Sequence, residues 1–494
     1  MRKAGILMPI SSIPSPYGIG TFGEESYRFV DFLVQAGQKL WQILPLGPTG
    51  YGDSPYQAFS TFAGNPYYID LELLVKSGYL KREECEVFDF GTDVCDIDYE
   101  KIYRSRFKVL KKAFERAKEQ GLLQQEEYVE FLKQNSYWLD DYALYMAVKD
   151  SFDGACFLEW ESGIRLRKKA AVEKYQRELS EEIAFYQFQQ YLFVTQWKAL
   201  KSYANQKGIE IVGDIPIYVA LDSADTWANP QLFQLKKTGY PKAVAGCPPD
   251  VFAVTGQLWG NPLYDWKYHE KTGFKWWIQR IAYCYELYDV VRIDHFRGFD
   301  AYWSIPYGDP TAEKGHWEKG PGYVLFETLE KNLGRRKVIA EDLGFLTESV
   351  IRLVQKTGYP GMKIIQFAFD SDEENTYLPH NYERNCVVYT GTHDNDTTVG
   401  WVRNAGAKTV RYAVKYLNVS GKRELPEACV KAALSSVADT AIIPLQDYLK
   451  LGSAARINIP STLGCNWRWR MKKGVLTKEL AKQIKQWTKI YGRL

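Results

Sequence analysis

Histidine is scarce in this chain, with only five among 494 residues. No two histidines are spaced as H-x-x-x-H, and the eight cysteines include no C-x-x-C pair. The sequence therefore offers neither the common zinc-enzyme pattern nor a disulfide framework. In a chain of this length we expect free thiols in a reducing cytoplasm. We expect no metal and no cofactor.

Long hydrophobic runs and an excess of charge of one sign are also lacking. No window approaches the roughly 18 uninterrupted apolar residues of a membrane helix, and Pro9 and Ser11 break the apolar start. The 63 Lys and Arg against 60 Asp and Glu give a net charge of +3. A basic patch large enough for nucleic acid is therefore not expected. These absences predict a cytoplasmic protein with no membrane or nucleic-acid partner.

Aromatic side chains are abundant: 15 Trp, 35 Tyr and 24 Phe make 15% of the chain. Aromatic faces suit protein cores, sugar platforms and base stacking equally, so this excess alone decides nothing. The length fits about three average domains, or one α/β barrel with insertions.

Short apolar runs alternate with helical stretches over the second half of the chain, as in parallel α/β proteins. Helical periodicity dominates about 71–205. Counting the strands predicts a (β/α)8 barrel, an α/β fold, as one domain over 1–494 with a mainly helical insertion at 71–205. The predicted strands are 39–46, 65–70, 208–214, 290–294, 337–341, 362–367, 386–390 and 455–459.

Four acids stand at or just beyond the ends of these strands: Asp214, Asp294, Glu341 and Asp394. The carboxyl ends of barrel strands open onto one face, so these acids should converge there. Arg292 lies two residues before Asp294, on the same side of the strand, and favours its ionised form. An ionised carboxylate beside a protonated one is the arrangement that glycosyl transfer needs.

The alternative interpretation is that such acids only cap the following helices. We assign that structural role to Asp342 and Asp222. Four acids together with Arg292 and His393 are harder to explain as caps.

At these residues the chain resembles the amylomaltases, the 4-α-glucanotransferases of glycoside hydrolase family 77. The resemblance runs nearly end to end. Its motifs are Ser12-Ile-Pro-Ser-Pro-Tyr-Gly-Ile-Gly20, Asp53-Ser-Pro-Tyr-Gln57, Phe62-Ala-Gly-Asn-Pro-Tyr67, Gly213-Asp-Ile-Pro-Ile-Tyr-Val219, Gly246-Cys-Pro-Pro-Asp250, Thr255-Gly-Gln-Leu-Trp-Gly-Asn-Pro-Leu-Tyr264, Arg292-Ile-Asp-His-Phe-Arg-Gly298, Ala340-Glu-Asp-Leu-Gly344, Gly391-Thr-His-Asp-Asn395 and Asn466-Trp-Arg-Trp-Arg470.

The resemblance implies a retaining transfer of α-1,4-glucan segments. By the family pattern Asp294 is the nucleophile, Glu341 the general acid/base, and Asp394 the carboxylate that holds and distorts the reacting sugar. Retention predicts that the two reacting carboxyl groups lie about 5–5.5 Å apart. Residues expected around that sugar are Arg292, His393 and Asp214, with His295 in a supporting role.

Further substrate-binding residues are expected in the matched motifs and near them. Those that stack on sugars or line the cleft are Tyr51, Ser54, Tyr56, Trp259, Asn466 and Trp467. Asp370 and Asp372 are candidates for acceptor hydroxyls. The resemblance also implies a mobile loop at 246–256, carrying Phe252, within a second insertion at 217–275. The loop departs from the family pattern in having Val251 where Tyr is common.

Three functions remain in competition. The first is a 4-α-glucanotransferase acting on maltooligosaccharides and on starch- or glycogen-derived glucans, as a monomer or homodimer. The second is an α-amylase-type hydrolase with the same three carboxylates. The third is a glucan-binding protein without activity.

Overall fold

The computed structural model describes residues 2–50, 52–249, 254–344 and 346–494. Its strands are β1 Lys3–Leu7, β2 Leu40–Gln42, β3 Glu210–Pro216, β4 Ala243–Cys247, β5 Gln257–Pro262, β6 Val290–Asp294, β7 Ala301–Pro306, β8 His316–Lys319, β9 Val338–Ala340, β10 Gly361–Ile364, β11 Cys386–Tyr389 and β12 Thr440–Pro444.

The α-helices are α1 Glu24–Gln35, α2 Leu71–Lys76, α3 Arg82–Glu86, α4 Tyr99–Glu119, α5 Glu126–Ser151, α6 Ser162–Arg165, α7 Lys169–Glu178, α8 Ser180–Gln206, α9 Ala224–Ala228, α10 Trp266–Lys271, α11 Lys275–Leu287, α12 Tyr323–Leu333, α13 Glu348–Thr357, α14 Thr398–Asn404, α15 Ala407–Tyr416, α16 Leu425–Ser435, α17 Leu445–Tyr448 and α18 Lys478–Ile490. None of the helices in these ranges is long and apolar enough to cross a membrane.

Eight parallel strands form the barrel, in the order β10-β11-β12-β1-β2-β3-β6-β9. The two end strands meet where the Ala340 N–H donates to the Pro360 carbonyl at 3.0 Å. Beside this bond the Met362 N–H donates to the Asp342 carboxylate at 2.7 Å. Asp342 thus bridges the barrel seam instead of capping a helix, and the expected (β/α)8 fold class is confirmed.

Two of the predicted strands are wrong. In 65–70, the Asn65 side chain accepts from the Tyr67 N–H and Pro66 follows, so the segment forms a 3-10 turn. The alternating Ile457 and Ile459 imitate a strand, but 456–459 is a loop held by side chains.

The two barrel strands missing from the prediction are β1 and β12. Each has five residues, and β1 contains Gly5, whose missing side chain lets the strand approach Leu40. An ideal Cβ built on Gly5 would lie 2.5 Å from the Leu40 Cβ. Glycine weakens a strand pattern in the sequence, which explains the omission of β1.

Between β2 and β3 the described residues form seven α-helices, of which α4, α5 and α8 are the longest. Helix α8 is joined to the loop after β2 by two buried glutamines. Gln190 accepts from the Gly64 N–H at 2.7 Å and donates to the Gly64 carbonyl at 2.9 Å. Gln196 makes the same pair of bonds to Asp70. These contacts hold the loop that carries Tyr56 over the barrel.

The other sheet is antiparallel, in the order β5-β4-β7-β8. Its strand β7 follows β6 after a short 3-10 turn, Phe296–Phe299. The sheet therefore starts directly beside the carboxyl end of a barrel strand.

Gly213 on β3 packs closely against Tyr288, the residue that follows α11. An added Cβ would lie 2.1 Å from the Tyr288 ring, which is 3% exposed. We expect Gly213→Ala to lower the free energy of unfolding by about 1–3 kcal/mol, because a buried ring must shift. Urea denaturation measures this. Gly421→Ala is the control, since nothing lies within 4 Å of its Cβ position, and an equal loss there would contradict the packing argument.

Candidate active site

A buried arginine connects two carboxylates at the ends of β3 and β6. Arg292 and Asp214 are register partners, so their side chains project into the same layer. The Arg292 guanidinium donates to both oxygens of Asp214, at 2.8 and 2.6 Å, and reaches Asp294 at 3.0 Å. Asp214 is fully buried, whereas the Asp294 side chain is 30% exposed. Of the two, Asp294 is therefore the carboxylate open to a ligand.

Glu341 immediately follows β9 and is near enough to Asp294 for their charges to interact. Its carboxylate accepts from the His295 N–H at 2.6 Å and from the Leu343 N–H at 2.8 Å. His295 has a φ of 53°, a left-handed conformation that histidine tolerates better than bulkier residues. The residue after Asp294 is thus turned so that its backbone binds Glu341.

The two carboxyl groups have raised pKa values. Burial, followed by the negative charge of Asp294, raises the pKa of Glu341 to about 7, against the two backbone hydrogen bonds. Burial likewise raises the pKa of Asp294 to about 6. The Arg292 guanidinium lowers the pKa of Asp294, as expected from the sequence, but burial and the charges of Asp214 and Asp394 outweigh it.

Asp394 is held in the ionised form. Although burial opposes the charge, the His393 imidazole at 3.3 Å and the Asn458 amide at 2.6 Å lower the pKa of Asp394 to about 2. Burial works against protonation of His393, but the Asp394 carboxylate raises its pKa. His393 and Asp394 are therefore hydrogen-bonded partners just beyond the end of β11.

Tyr56 connects the two halves of this arrangement. Its hydroxyl donates to Asp214 at 2.9 Å, and its ring stacks on His393 with centroids 5.2 Å apart and an interplanar angle of 19°. The Trp467 ring lies 5.8 Å from Tyr56. The Ser54 hydroxyl accepts from the Tyr56 N–H at 3.3 Å. Ser54 thus supports the turn that presents the tyrosine.

A cleft of about 580 Å³ opens over Tyr56, Asp294 and Asp394, whereas Asp214, Arg292 and Glu341 are not among the residues that line it. Asp294 and Asp394 form part of its floor, and Trp259 packs edge-on against His295 at 4.8 Å. Burial lowers the pKa of His295 to about 3, so its imidazole is neutral. The expected residues that line the cleft are Ser54, Tyr56, Trp259, Asp294, His295, His393, Asp394, Asn466 and Trp467.

Comparison with known proteins identifies the family. Residues 8–477 match the family model of glycoside hydrolase family 77, described as 4-alpha-glucanotransferase. The chain belongs to the 4-alpha-glucanotransferase family. This confirms the resemblance inferred from the motifs, and the hydrolase alternative is not favoured.

Individual members of the 4-alpha-glucanotransferase family are similar to this chain over nearly its full length. The chain is 52% identical over 488 residues to a 4-alpha-glucanotransferase of Clostridium butyricum, covering 98% of this chain and 100% of that one. It is 50% identical over 495 residues to one of Streptococcus pneumoniae, covering 100% and 98%. The solved structure of an amylomaltase from Streptococcus agalactiae in complex with acarbose matches with a TM-score of 0.96, at 42% identity and with 100% of both chains covered.

Some of the residues expected to bind substrate lie outside the cleft or form hydrogen bonds within their own loops. Asp370 is exposed and accepts from the Asn375 amide at 2.9 Å within its own turn. Asn466 lines the cleft, but its amide is engaged with Ile459 and Thr462 in the same loop. Phe252 and Tyr51 lie outside the described residues.

Sequence reasoning missed Asn458 and Arg456. Asn458 donates to the Asp394 carboxylate, and the Arg456 guanidinium donates to the Asp394 carbonyl at 2.7 Å. Both lie in the segment interpreted as a strand. The sequence did contain a signal for them. Two polar side chains alternate with Ile457 and Ile459, and this pattern also fits a loop whose polar side chains bind a neighbouring segment.

Asn458→Ala tests this clamp. We expect a higher pKa of Asp394 and a fall in kcat/KM of roughly ten- to hundredfold, because a hydrogen bond to a charged group is lost. Steady-state assays of glucan turnover across pH measure both effects. Asn332→Ala is the control, since that amide only donates to the Thr328 carbonyl on an exposed helix. Unchanged turnover in Asn458→Ala would show that the Asp394 contact is dispensable.

Proposed function

We propose that this chain transfers segments of α-1,4-glucans from a donor chain to the 4-hydroxyl of an acceptor glucan or glucose, by a retaining double displacement. The observation that carries the proposal is the carboxyl pair: Glu341 has a pKa of about 7 next to Asp294, which is bound to Arg292. One group can hold a proton while the other is ionised, as retaining glycoside chemistry requires.

In the first step the Asp294 carboxylate attacks the anomeric carbon of the donor. A bond forms from the Asp294 oxygen to that carbon while the glycosidic bond breaks, and Glu341 gives its proton to the departing oxygen. The charge on Asp294 raises the pKa of Glu341 in the resting enzyme. Forming the covalent glucosyl ester removes that charge, which favours loss of the proton from Glu341.

In the second step Glu341 acts as the base. It takes the proton of the acceptor 4-hydroxyl, whose oxygen attacks the anomeric carbon and displaces Asp294. The new bond has the original configuration because the centre is inverted twice. The two backbone donors at 2.6 and 2.8 Å keep the Glu341 carboxylate oriented through both protonation states.

Asp394 and its partners hold the sugar between the two steps. With a pKa near 2, Asp394 stays ionised and can accept hydrogen bonds from sugar hydroxyls. Its negative charge also stabilises the positive charge that develops at the anomeric centre in the transition state. The stacked Tyr56 and His393 rings support this side of the cleft.

Transfer requires that an acceptor glucan compete with water. Trp259, Trp467 and the apolar side chains of Leu258 and Leu463 in the cleft wall favour a sugar over bulk water. The loop at 246–256 is proposed to close over this wall. Phe252 within it falls outside the described residues.

The remaining features of the proposal concern context. The substrates are maltooligosaccharides and starch- or glycogen-derived chains, and the similar Streptococcus agalactiae enzyme was solved with acarbose. We propose one catalytic unit over 1–494 with insertions at about 71–205 and 217–275. We also propose that the protein is cytoplasmic and acts as a monomer or homodimer.

The products formed from pure maltotriose test the reaction. We expect free glucose together with glucans longer than maltotriose, resolved by chromatography, because a glucan takes the place of water in the second step. Asp294→Asn should abolish both products, since the amide is a poor nucleophile. Exclusive formation of shorter products would support a hydrolase, and undiminished turnover by Asp294→Asn would exclude Asp294 as the nucleophile.

The two carboxyl pKa values predict the pH dependence. Turnover needs Asp294 ionised and Glu341 protonated, so kcat/KM should fall below about pH 6 as Asp294 gains a proton. It should also fall above about pH 7 as Glu341 loses its proton. A plot of kcat/KM against pH should therefore be bell-shaped. With a donor whose leaving group needs no protonation, Glu341→Gln should lose the fall in kcat/KM on the alkaline side. An alkaline fall that persists in Glu341→Gln would assign it to another group.

A further inference from the structure

The edge of the antiparallel sheet carries an exposed tryptophan, Trp317 on β8, which is 43% exposed. We propose that its indole ring is a remote subsite for long α-1,4-glucans that extend beyond the cleft. This inference rests on the proposed function, because it concerns the same substrates.

The backbone register of the antiparallel sheet relates the cleft to Trp317. The register pairs Leu258 with Gly246, Gly246 with Trp303, and Trp303 with Trp317. Residues directly opposite in antiparallel strands project from the same face. Leu258 lines the cleft, so this row of paired residues begins there and reaches the sheet edge three strand spacings away, or about 14 Å.

The Trp317 ring is fixed in position before any ligand arrives. The Arg297 guanidinium covers it at 4.2 Å from the ring centroid, and the Trp303 ring contacts it at 5.2 Å in an edge-to-face arrangement. Trp303 is itself anchored by donating to the Ala312 carbonyl at 2.9 Å. A ring held in this way loses little conformational entropy when it binds a ligand.

The same arginine ties Trp317 to the active site. Arg297 lies two residues after His295, whose ring packs against Trp259 in the cleft. The segment 295–297 therefore contacts a cleft tryptophan at one end and the edge tryptophan at the other. A glucan leaving the cleft along this wall would meet a second aromatic face.

The surroundings of Trp317 suit a sugar better than a protein. The next side chain on its own face of β8 is the exposed Lys319, and Trp303 is its aromatic neighbour, so the ring offers one small apolar surface beside a charged group. A stable protein interface buries on the order of 1,000 Å² or more, whereas a flat indole matches the C–H face of one pyranose ring. The low net charge of +3 agrees with a neutral ligand.

The experiment compares two substrates in one enzyme. The ratio of kcat/KM for linear amylose to kcat/KM for maltotriose is measured in the wild type, Trp317→Ala, Trp317→Leu and Trp317→Phe. We expect the ratio to fall about five- to tenfold in the alanine and leucine variants, and to be largely kept by phenylalanine, because stacking needs a flat ring. Melting curves confirm that the variants fold.

Tyr307→Ala is the matched control. Tyr307 is also exposed, at 39%, and directly follows β7, but it lies outside the row that starts at Leu258. The control should keep the wild-type ratio. A ratio unchanged in both the alanine and leucine variants at Trp317, or reduced equally in Tyr307→Ala, would overturn the subsite. Wild-type enzyme that only shortens maltotriose would instead refute the transfer reaction, whatever the ratio.

Discussion

The site depends on the ion pairs that Arg292 forms with Asp214 and Asp294. A buried guanidinium is costly unless carboxylates surround it, and Asp214 satisfies it from the neighbouring strand while Asp294 keeps one side open. Asp214 also accepts from Tyr56, whose ring stacks on His393, which in turn pairs with Asp394. One arginine thus orders a chain of contacts that runs across the barrel mouth from β6 to β11.

The rest of the fold keeps that chain of contacts in place. The barrel brings the strand ends together, and the seam at Asp342 joins its two end strands. The loop that carries Tyr56 leaves the barrel after β2 and is bonded to α8. Gln190 and Gln196 form these bonds with the backbone of Gly64 and Asp70. The helical segment between β2 and β3 is therefore a brace for the site as well as a covering of the barrel.

The sequence was informative where one local rule decided the outcome. Acids after apolar runs had to converge if the strands were parallel, so Asp214, Asp294 and Glu341 could be grouped without coordinates. Side-chain contacts between distant segments were beyond such rules. The segment at 455–459 has the alternation of a strand, yet Asn458 is drawn to the Asp394 carboxylate. β1 escaped notice because Gly5, which its packing requires, weakens the very pattern that marks a strand.

The donors that hold Glu341 are both backbone amides, those of His295 and Leu343. Replacing either side chain leaves the amide in place, so this part of the site is insulated from most point mutations. The pKa of Glu341 can therefore be changed by design in two ways, through the charges beside it and through its access to water. Side chains around the cleft can be varied for new acceptors while the proton-transfer geometry stays as the backbone sets it.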